Sequence, residues 1–74
     1  MTEWITVASS AIKAVGYDES NQRMYIDFQD SQPVYTFCAV PESVFREFVG
    51  ARSVGRYYQR YIKDRYSANL VSSF

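Results

Sequence analysis

Hydrophobic and polar residues alternate along the first half of the chain, with the period of half-buried β-strands. The pattern predicts three strands, at residues 11–17, 22–29 and 34–40. Polar turns at residues 18–21 and 30–33 separate these strands, and connections this short favour an antiparallel meander. Residues 4–7 form a short apolar run that is either a fourth strand or an arm covering an edge of the sheet.

The same alternation assigns side chains to the two faces of each strand. The first strand has Val15 and Tyr17 on one face and Ile12 on the other. The third strand has Tyr35 and Phe37 on a common face. This aromatic pair is either a platform on which bases stack or a part of the core beneath the helices.

The period becomes helical after residue 40, where apolar residues recur three and four positions apart. The apolar stripe of this first helix consists of Val44, Phe45, Phe48 and Val49. Pro41 suits its first turn, Glu42 lies near its positive end, and Gly50 is a good residue to end it. A second helix is predicted from its N-cap Ser53 to about Tyr66.

The second helix has a packing face and a basic face. The packing face is formed by Val54, Tyr57, Tyr58, Tyr61 and Ile62. The basic residues Arg52, Arg56, Arg60 and Lys63 fall within an arc of about 80° on a helical wheel. Residues 52–66 hold five basic residues and one acidic residue, a net charge of +4, whereas the preceding residues hold three basic and seven acidic residues, a net charge of −4. This division favours a negatively charged partner or a contact between copies.

These elements predict an α+β fold, with a three- to four-stranded antiparallel β-meander packed on one face by two C-terminal α-helices. The 74 residues suffice for one domain, residues 1–74, with a small core. Residues 67–74 are either a flexible tail or a segment that packs back onto the domain.

The composition also limits the kinds of site that the protein can contain. The chain has one cysteine and no histidine, which excludes a disulfide within one monomer and a Cys/His zinc site. We expect Cys38 to be an inert core thiol, and a lone cysteine suits a reducing cytoplasm. The N-terminus lacks the pattern of a signal peptide, and no apolar stretch has the length of a membrane span. We therefore expect a cytoplasmic protein without a membrane partner, bound metal or cofactor.

Catalysis is not expected, because no histidine is present to activate a nucleophile. The hydroxyl and thiol nucleophiles are Ser9, Ser10, Ser53 and Cys38. The carboxylates Asp18, Glu19, Asp27 and Asp30 lie in or beside turns, where such groups are typically solubilising or turn-forming. No glycine-rich phosphate loop occurs either. The composition therefore favours a binding domain over an enzyme.

Four segments follow one another along the chain: SSAIKAVGYD at residues 9–18, the pair Tyr35 and Phe37, VPESVFREF at residues 40–48, and SVGRYYQRYIKDRY at residues 53–66. In this order they resemble the KTSC domain family. The last is the most specific, because it resembles a Ser-x-Gly-x-Tyr-Phe-Asn-x-x-Ile-Arg pattern, with Tyr58, Gln59 and Lys63 at the Phe, Asn and Arg positions. The family occurs alone in bacterial and phage proteins and at the C-terminus of some lysyl-tRNA synthetases, and this association implies RNA binding.

Charge and resemblance together predict a site for RNA or a related phosphate-bearing ligand on the second helix. Its candidate residues are Arg52, Ser53, Gly55, Arg56, Arg60 and Lys63. Candidates for base stacking are Tyr25, Tyr35 and Phe37. The structural alternatives are a solvated helix face, an N-cap at Ser53 and close packing at Gly55. Two other functions remain open: a homo-oligomer whose opposite charges pair between copies, and a protein that sequesters a nucleotide or another small anion.

Overall fold

The computed structural model describes residues 2–29, 34–66 and 68–71, the last segment by its backbone alone. The predicted turn at residues 30–33, which includes Asp30, lies outside the described residues, as do residues 67 and 72–74 of the predicted tail.

Within the described residues, five antiparallel strands form one sheet, in which the spatial order follows the chain order. The strands are β1 (Thr2–Thr6), β2 (Ile12–Asp18), β3 (Arg23–Phe28), β4 (Val34–Phe37) and β5 (Ala68–Val71). The predicted α+β fold is confirmed. The sheet has one strand beyond the predicted three to four, because part of the C-terminal segment returns to pair with β4.

A β-bulge near the start of β2 changes the faces predicted for that strand. Ile12 pairs with Phe28, but Ala14 pairs with Asp27, so the register shifts by one residue between these pairs. The extra residue interrupts the alternation and turns Ile12 into the same buried core as Val15. The prediction that Ile12 and Val15 lie on opposite faces was wrong, because alternation alone carries no signal for a bulge.

Strand β4 ends at Phe37, earlier than the predicted end at Val40. Ala39 has a φ of 57°, in the left-handed region, which breaks the extended backbone. The Val40 N–H then donates to the Gln22 carbonyl oxygen at 2.9 Å, and the Val40 side chain is fully buried. Cys38 lies in this irregular segment and is half-buried, so it is not the core strand residue that was predicted.

The described residues contain two helices, α1 at Glu42–Val49 and α2 at Val54–Tyr57, which pack on one face of the sheet. Pro41 is the N-cap of α1, one position before the first turn predicted for it, and Gly50 is the C-cap, as the predicted end of the helix requires. Its buried residues Phe45 and Phe48 lie against the sheet because the apolar positions recur on one side of the helix. The core joins Val15, Tyr17, Met24, Ile26 and Phe37 of the sheet to Phe45, Phe48, Val54 and Ile62 of the helical layer.

The second helix is not one uninterrupted α-helix from Ser53 to Tyr66. Helix α2 continues into a π-helical segment, Tyr58–Ile62, which the Lys63 N–H closes by donating to the Tyr58 carbonyl oxygen at 2.9 Å. An α-helix would place Tyr61 about 20° from Val54 around the axis, within the packing face. The wider π turn rotates less per residue, so Ile62 enters the core and Tyr61 is left 45% exposed.

The opposite face of the sheet, which we call the helix-free face, is covered by no helix in the described part of the chain. Its central feature is the indole of Trp4, which lies directly over Gly16: a Cβ on Gly16 would stand 2.8 Å from the indole carbon Cδ2. The same ring stacks on Tyr25, with centroids 6.1 Å apart. Of residues 4–7, which were predicted as a strand or an arm, the first three belong to the edge strand β1, which pairs with β2.

Candidate functional site

A groove separates the sheet from the second helix, at the end of the sheet where β2 begins and β3 ends. Its volume is about 380 Å³. The sheet side is lined by Ala11, Ile12 and Phe28, and the helix side is lined by Gly55, Arg56, Tyr58 and Gln59. We call this feature the α2 groove. It brings residues 11 and 12 together with residues 55–59, more than forty positions away in the sequence, and both of these segments carry the family resemblance.

Ser9 fixes the backbone on the sheet side of the groove. Its hydroxyl accepts hydrogen bonds from the N–H groups of Ala11 at 3.1 Å and Ile12 at 3.2 Å. The Gln29 side-chain amide donates to the Ser9 carbonyl oxygen at 3.2 Å. Ser9 is thus a structural residue that sets the groove wall.

Ser53 and Gly55 shape the helix side. The Ser53 hydroxyl accepts a 3.3 Å hydrogen bond from the Arg56 N–H, so Ser53 is the N-cap that the sequence predicts. That bond occupies one of the free N–H groups which were expected to point at an anion. Gly55 lies in the groove wall, and a Cβ built there would meet only the Ser9 hydroxyl oxygen, at 4.0 Å. The fold therefore leaves room for a side chain at position 55.

The predicted basic residues lie within or beside the second helical segment: Arg52 precedes the N-cap Ser53, and Lys63 follows the π-helical turn. We call Arg52, Arg56, Arg60 and Lys63 the basic surface, and all four are exposed. The ion pairs found among the described residues both involve Arg46, so none of these four side chains is neutralised by a carboxylate there. Arg56 belongs both to this surface and to the α2 groove. The surface therefore offers several cations to an anionic partner.

Aromatic rings support the groove from beneath. The ring of Phe28 packs edge-on against Tyr58 at 5.3 Å between centroids and against Tyr35 at 5.2 Å. Burial raises the pKa of the Tyr58 hydroxyl above its ordinary value of 10.0, and the neighbouring Tyr35 raises it further. Tyr58 therefore remains protonated and can donate a hydrogen bond across the neutral pH range.

The three residues predicted to stack on bases differ in access. Phe37 is 1% exposed and stacks on the half-buried Tyr35 at 6.4 Å, so this pair packs beneath the helices, as the structural alternative held. Tyr25 lies on the helix-free face, half-buried beside Trp4. Of these three candidates, Tyr25 alone has a partly accessible ring that does not pack beneath the helices, and it lies on the face opposite to the basic surface.

Acidic residues gather at a different corner of the molecule. Arg46 lies 2.9 Å from a carboxylate oxygen of Glu3 and 3.1 Å from one of Glu42, and hydrogen bonds to these two groups raise the pKa of Arg46. With Glu19, these residues line a depression of about 280 Å³ that we call the acidic corner. Three carboxylates against one guanidinium leave it with a net charge of −2, opposite in sign to the basic surface.

The described residues contain no cluster of three or more histidine, cysteine, aspartate or glutamate side chains that could hold a metal ion. In the same part of the chain, no helix combines the length and apolar character needed to cross a membrane.

The lining of the groove includes residues that the sequence did not single out as ligands. Ala11, Ile12 and Phe28 were assigned to strands, and only the bulge and the helix packing bring them together. Gln59 had a sequence signal, since it stands at the Asn position of the family pattern. Its exposure on the helix side of the groove gives that position a structural context.

Comparisons with known proteins find similarity over most of the chain. The KTSC domain family model matches residues 8–66. The crystal structure of a KTSC domain protein from Yersinia pestis superimposes with a TM-score of 0.90 at 30% identity, covering 97% of this chain and 100% of that one. A protein from Tsukamurella paurometabola is 37% identical over 62 residues, covering 84% of this chain and 91% of that protein.

The resemblance extends to larger proteins. A lysine–tRNA ligase from Nostoc punctiforme is 33% identical over 63 residues. The match covers 85% of this chain but 11% of the ligase, so the similarity concerns one segment of that enzyme. The family match, the relatives and the shared architecture agree, and the chain belongs to the KTSC domain family.

Proposed function

We propose that this domain is a non-catalytic module that binds RNA through its basic surface. The observation that carries the proposal is the set of four exposed cations at Arg52, Arg56, Arg60 and Lys63, which lack a carboxylate partner among the described residues. Phosphates of a nucleic acid backbone are the polyanion that such a surface attracts, and arginine can bind a phosphate through two parallel hydrogen bonds.

Two further features support RNA as the polymer. Relatives of this chain include lysine–tRNA ligases, enzymes whose name states an RNA substrate, although the shared segment is a small part of them. The groove beside Arg56 also provides space for an unpaired base, which is how single-stranded RNA is commonly recognised. The site residues provide binding groups and no nucleophile–base pair, so the proposed role is recognition in the cytoplasm, not chemistry.

The test compares two double variants that lose the same charge. Arg56→Ala with Arg60→Ala removes half of the basic surface, whereas Lys13→Ala with Arg23→Ala removes two exposed cations from the sheet. Binding of fluorescein-labelled single-stranded RNA is measured by anisotropy between 50 and 300 mM salt, a range of roughly sixfold around physiological ionic strength.

The first variant should weaken binding about tenfold or more and reduce the slope of log K against log salt by roughly 1.4, because each lost phosphate contact removes about 0.7. The control should bind as the wild type does. Equal loss in both variants would show that only net charge matters and would overturn the assignment to the second helix. Unchanged binding in both would do the same.

Charge pairing between copies is the second candidate, and the acidic corner is the observation that favours it. Its net charge of −2 is complementary to the basic surface on another molecule. A contact of this kind predicts a concentration-dependent dimer that dissociates above about 0.3 M salt, where the Debye length is well below 8 Å. A mass that remains monomeric in light scattering at low salt and high concentration would exclude it.

A further inference from the structure

We infer that the α2 groove is the binding pocket for one nucleotide unit, with the base in the groove and its phosphate at Arg56. The inference rests on the proposed function, since it names the part of an RNA that this surface would recognise. It differs from that function in its ligand, because a groove that holds one base can also take a free mononucleotide.

The dimensions and lining of the groove suit an aromatic base. Its volume of about 380 Å³ lies near the lower end of the range for small-molecule sites, about 300–1,000 Å³. The apolar surface comes from Ile12, Phe28 and Tyr58, against which a flat ring can pack. The polar groups, Arg56 and Gln59, lie on the helix side, where a phosphate and the edge of a base can reach them.

Gly55 is the feature that points to a ligand. It has no positive φ, so the backbone conformation does not require glycine. A Cβ at this position would make one ordinary contact, with the Ser9 hydroxyl oxygen at 4.0 Å, so packing does not require glycine either. Glycine nevertheless weakens a helix relative to alanine. Its bare backbone in the groove wall is explained if a ligand has to approach this turn closely.

The polar side chains of the groove are available to that ligand. The Arg56 backbone N–H donates to the Ser53 hydroxyl, whereas the Arg56 guanidinium is exposed and can bind a phosphate. Gln59 is exposed one turn further along, and its amide supplies both a donor and an acceptor. A side chain that both donates and accepts can form hydrogen bonds to the edge of a base, whereas a cation alone would bind only the phosphate.

The experiment is a titration of the isotopically labelled domain, followed by backbone amide NMR shifts. The probes are the four ribonucleoside 5′-monophosphates, inorganic phosphate, and hexanucleotides of each single base. The variants are Gly55→Leu, which fills the groove, and Gln59→Glu, which places a carboxylate beside the phosphate site and changes only an exposed side chain. Arg23→Ala, an exposed arginine elsewhere, is the control, and thermal unfolding of each variant reports whether the fold is retained.

The inference predicts that a mononucleotide shifts the amides of Ala11, Gly55, Arg56 and Gln59 in the wild type, and that it binds more tightly than inorganic phosphate. Gly55→Leu and Gln59→Glu should each lower nucleotide affinity at least tenfold, while Arg23→Ala leaves it unchanged. If Gly55→Leu fails to fold, Gln59→Glu and the shift map of the wild type decide the question.

The outcomes separate this inference from the proposed function. Hexanucleotide binding that is equally tight in Gly55→Leu and Gln59→Glu, with shifts confined to Arg60 and Lys63, would overturn the groove and leave RNA binding intact. Mononucleotide binding with no gain for hexanucleotides would support the groove and overturn the polymer as the ligand. Phosphate binding as tightly as any nucleotide would overturn the base pocket.

Discussion

The Tyr17 hydroxyl donates a buried hydrogen bond of 2.6 Å to the carbonyl oxygen of Val40, which ties the end of β2 to the segment that leads into α1. The Tyr17 ring also stacks on Phe45 of α1, with centroids 4.9 Å apart. One side chain thus fixes both the backbone before the helix and the packing of the helix itself.

Replacing Tyr17 by Phe should therefore destabilise the domain even though the ring is kept. The variant leaves the buried Val40 carbonyl without its donor, and a loss of this kind costs about 1–3 kcal/mol. Urea unfolding followed by far-UV circular dichroism measures the change. Tyr25→Phe is the matched control, because the Tyr25 hydroxyl makes no hydrogen bond within the described residues. Equal stability of the two variants would show that the Tyr17 bond contributes nothing.

The contact between Trp4 and Gly16 predicts a strong response to one added methyl group. Gly16→Ala places a Cβ 2.8 Å from the indole, so the ring has to move and loses its contact with the sheet. We expect a destabilisation of about 1–3 kcal/mol, the usual cost of overpacking. Trp4 is the only tryptophan, so its emission should shift to the red as the ring becomes more exposed.

A double-mutant cycle isolates that contact. In a Trp4→Ala background, Gly16→Ala should be nearly neutral, because the obstructing ring is absent. If Gly16→Ala remains as costly without the indole, the clash is not the cause of its effect.

The π-helical segment predicts that Ile62→Ala destabilises the domain more than Tyr61→Ala does. A regular α-helix would give the reverse order. Ile62→Ala should cost about 2–5 kcal/mol, because Ile62 is fully buried in the core. Tyr61→Ala should cost under about 1 kcal/mol, because Tyr61 is 45% exposed and packs mainly on Tyr57, at 4.7 Å. An uninterrupted α-helix would give Tyr61 the larger effect, so finding that order by chemical denaturation would contradict the wide turn.

The turn after β2 predicts a pH-dependent contribution to stability. Asp18 accepts hydrogen bonds from the side chain of Asn21 at 2.8 Å and the N–H of Ser20 at 3.1 Å, and the Asn21 bond is the main reason its pKa lies below the ordinary 3.8. A lowered pKa in the folded state means that the charged form is stabilised. The contribution is therefore complete above pH 3.8 and is lost as the pH falls through the lower folded value.

Asp18→Ala should accordingly be less stable than the wild type at pH 7, and the difference should shrink as the pH falls below 3.8. Thermal unfolding from pH 7 to pH 2 measures it. Glu19→Ala, which removes an exposed neighbouring carboxylate that makes neither of these hydrogen bonds, is the control. A difference between Asp18→Ala and the wild type that is constant across the range would exclude the charged hydrogen bonds as its source.

The sequence predicts the α+β class, strands β2 to β4 and helix α1, because each of these elements has a hydrophobic period of two or about 3.6 residues. Residues 4–7 lack such a period, so the sequence left them as a strand or an arm. It misplaces Ile12 and Tyr61 for one shared reason. Each lies where one extra residue is inserted into a strand or a helix. The hydrophobic pattern carries no signal for such an insertion, so the sequence does not show where the period is interrupted. Strand β5 has only four residues and no strong period, so its pairing with β4 depends on tertiary contacts.

The candidate site was partly predictable. Arg56, Gly55 and Ser53 are recognised from charge and from the family pattern. Their partner wall is not, because Ala11 and Phe28 acquire a role only when β2, β3 and α2 meet in space. The groove depends on how β2, β3 and α2 pack together, whereas the basic residues can be recognised within a single stretch of sequence.

The wide turn after Tyr57 has a consequence for how this helix can vary. In a regular α-helix, Ile62 would lie about 80° from Val54 around the axis, towards the edge of the packing face. Here the turn resets the angular phase between Val54, which anchors the first half to the core, and Ile62, which anchors the second. The turn accommodates one extra residue between these two anchors, since without it Ile62 would be seven positions from Val54, about 20° away around the axis. The helix can therefore differ in length by one residue while the hydrophobic core remains as it is.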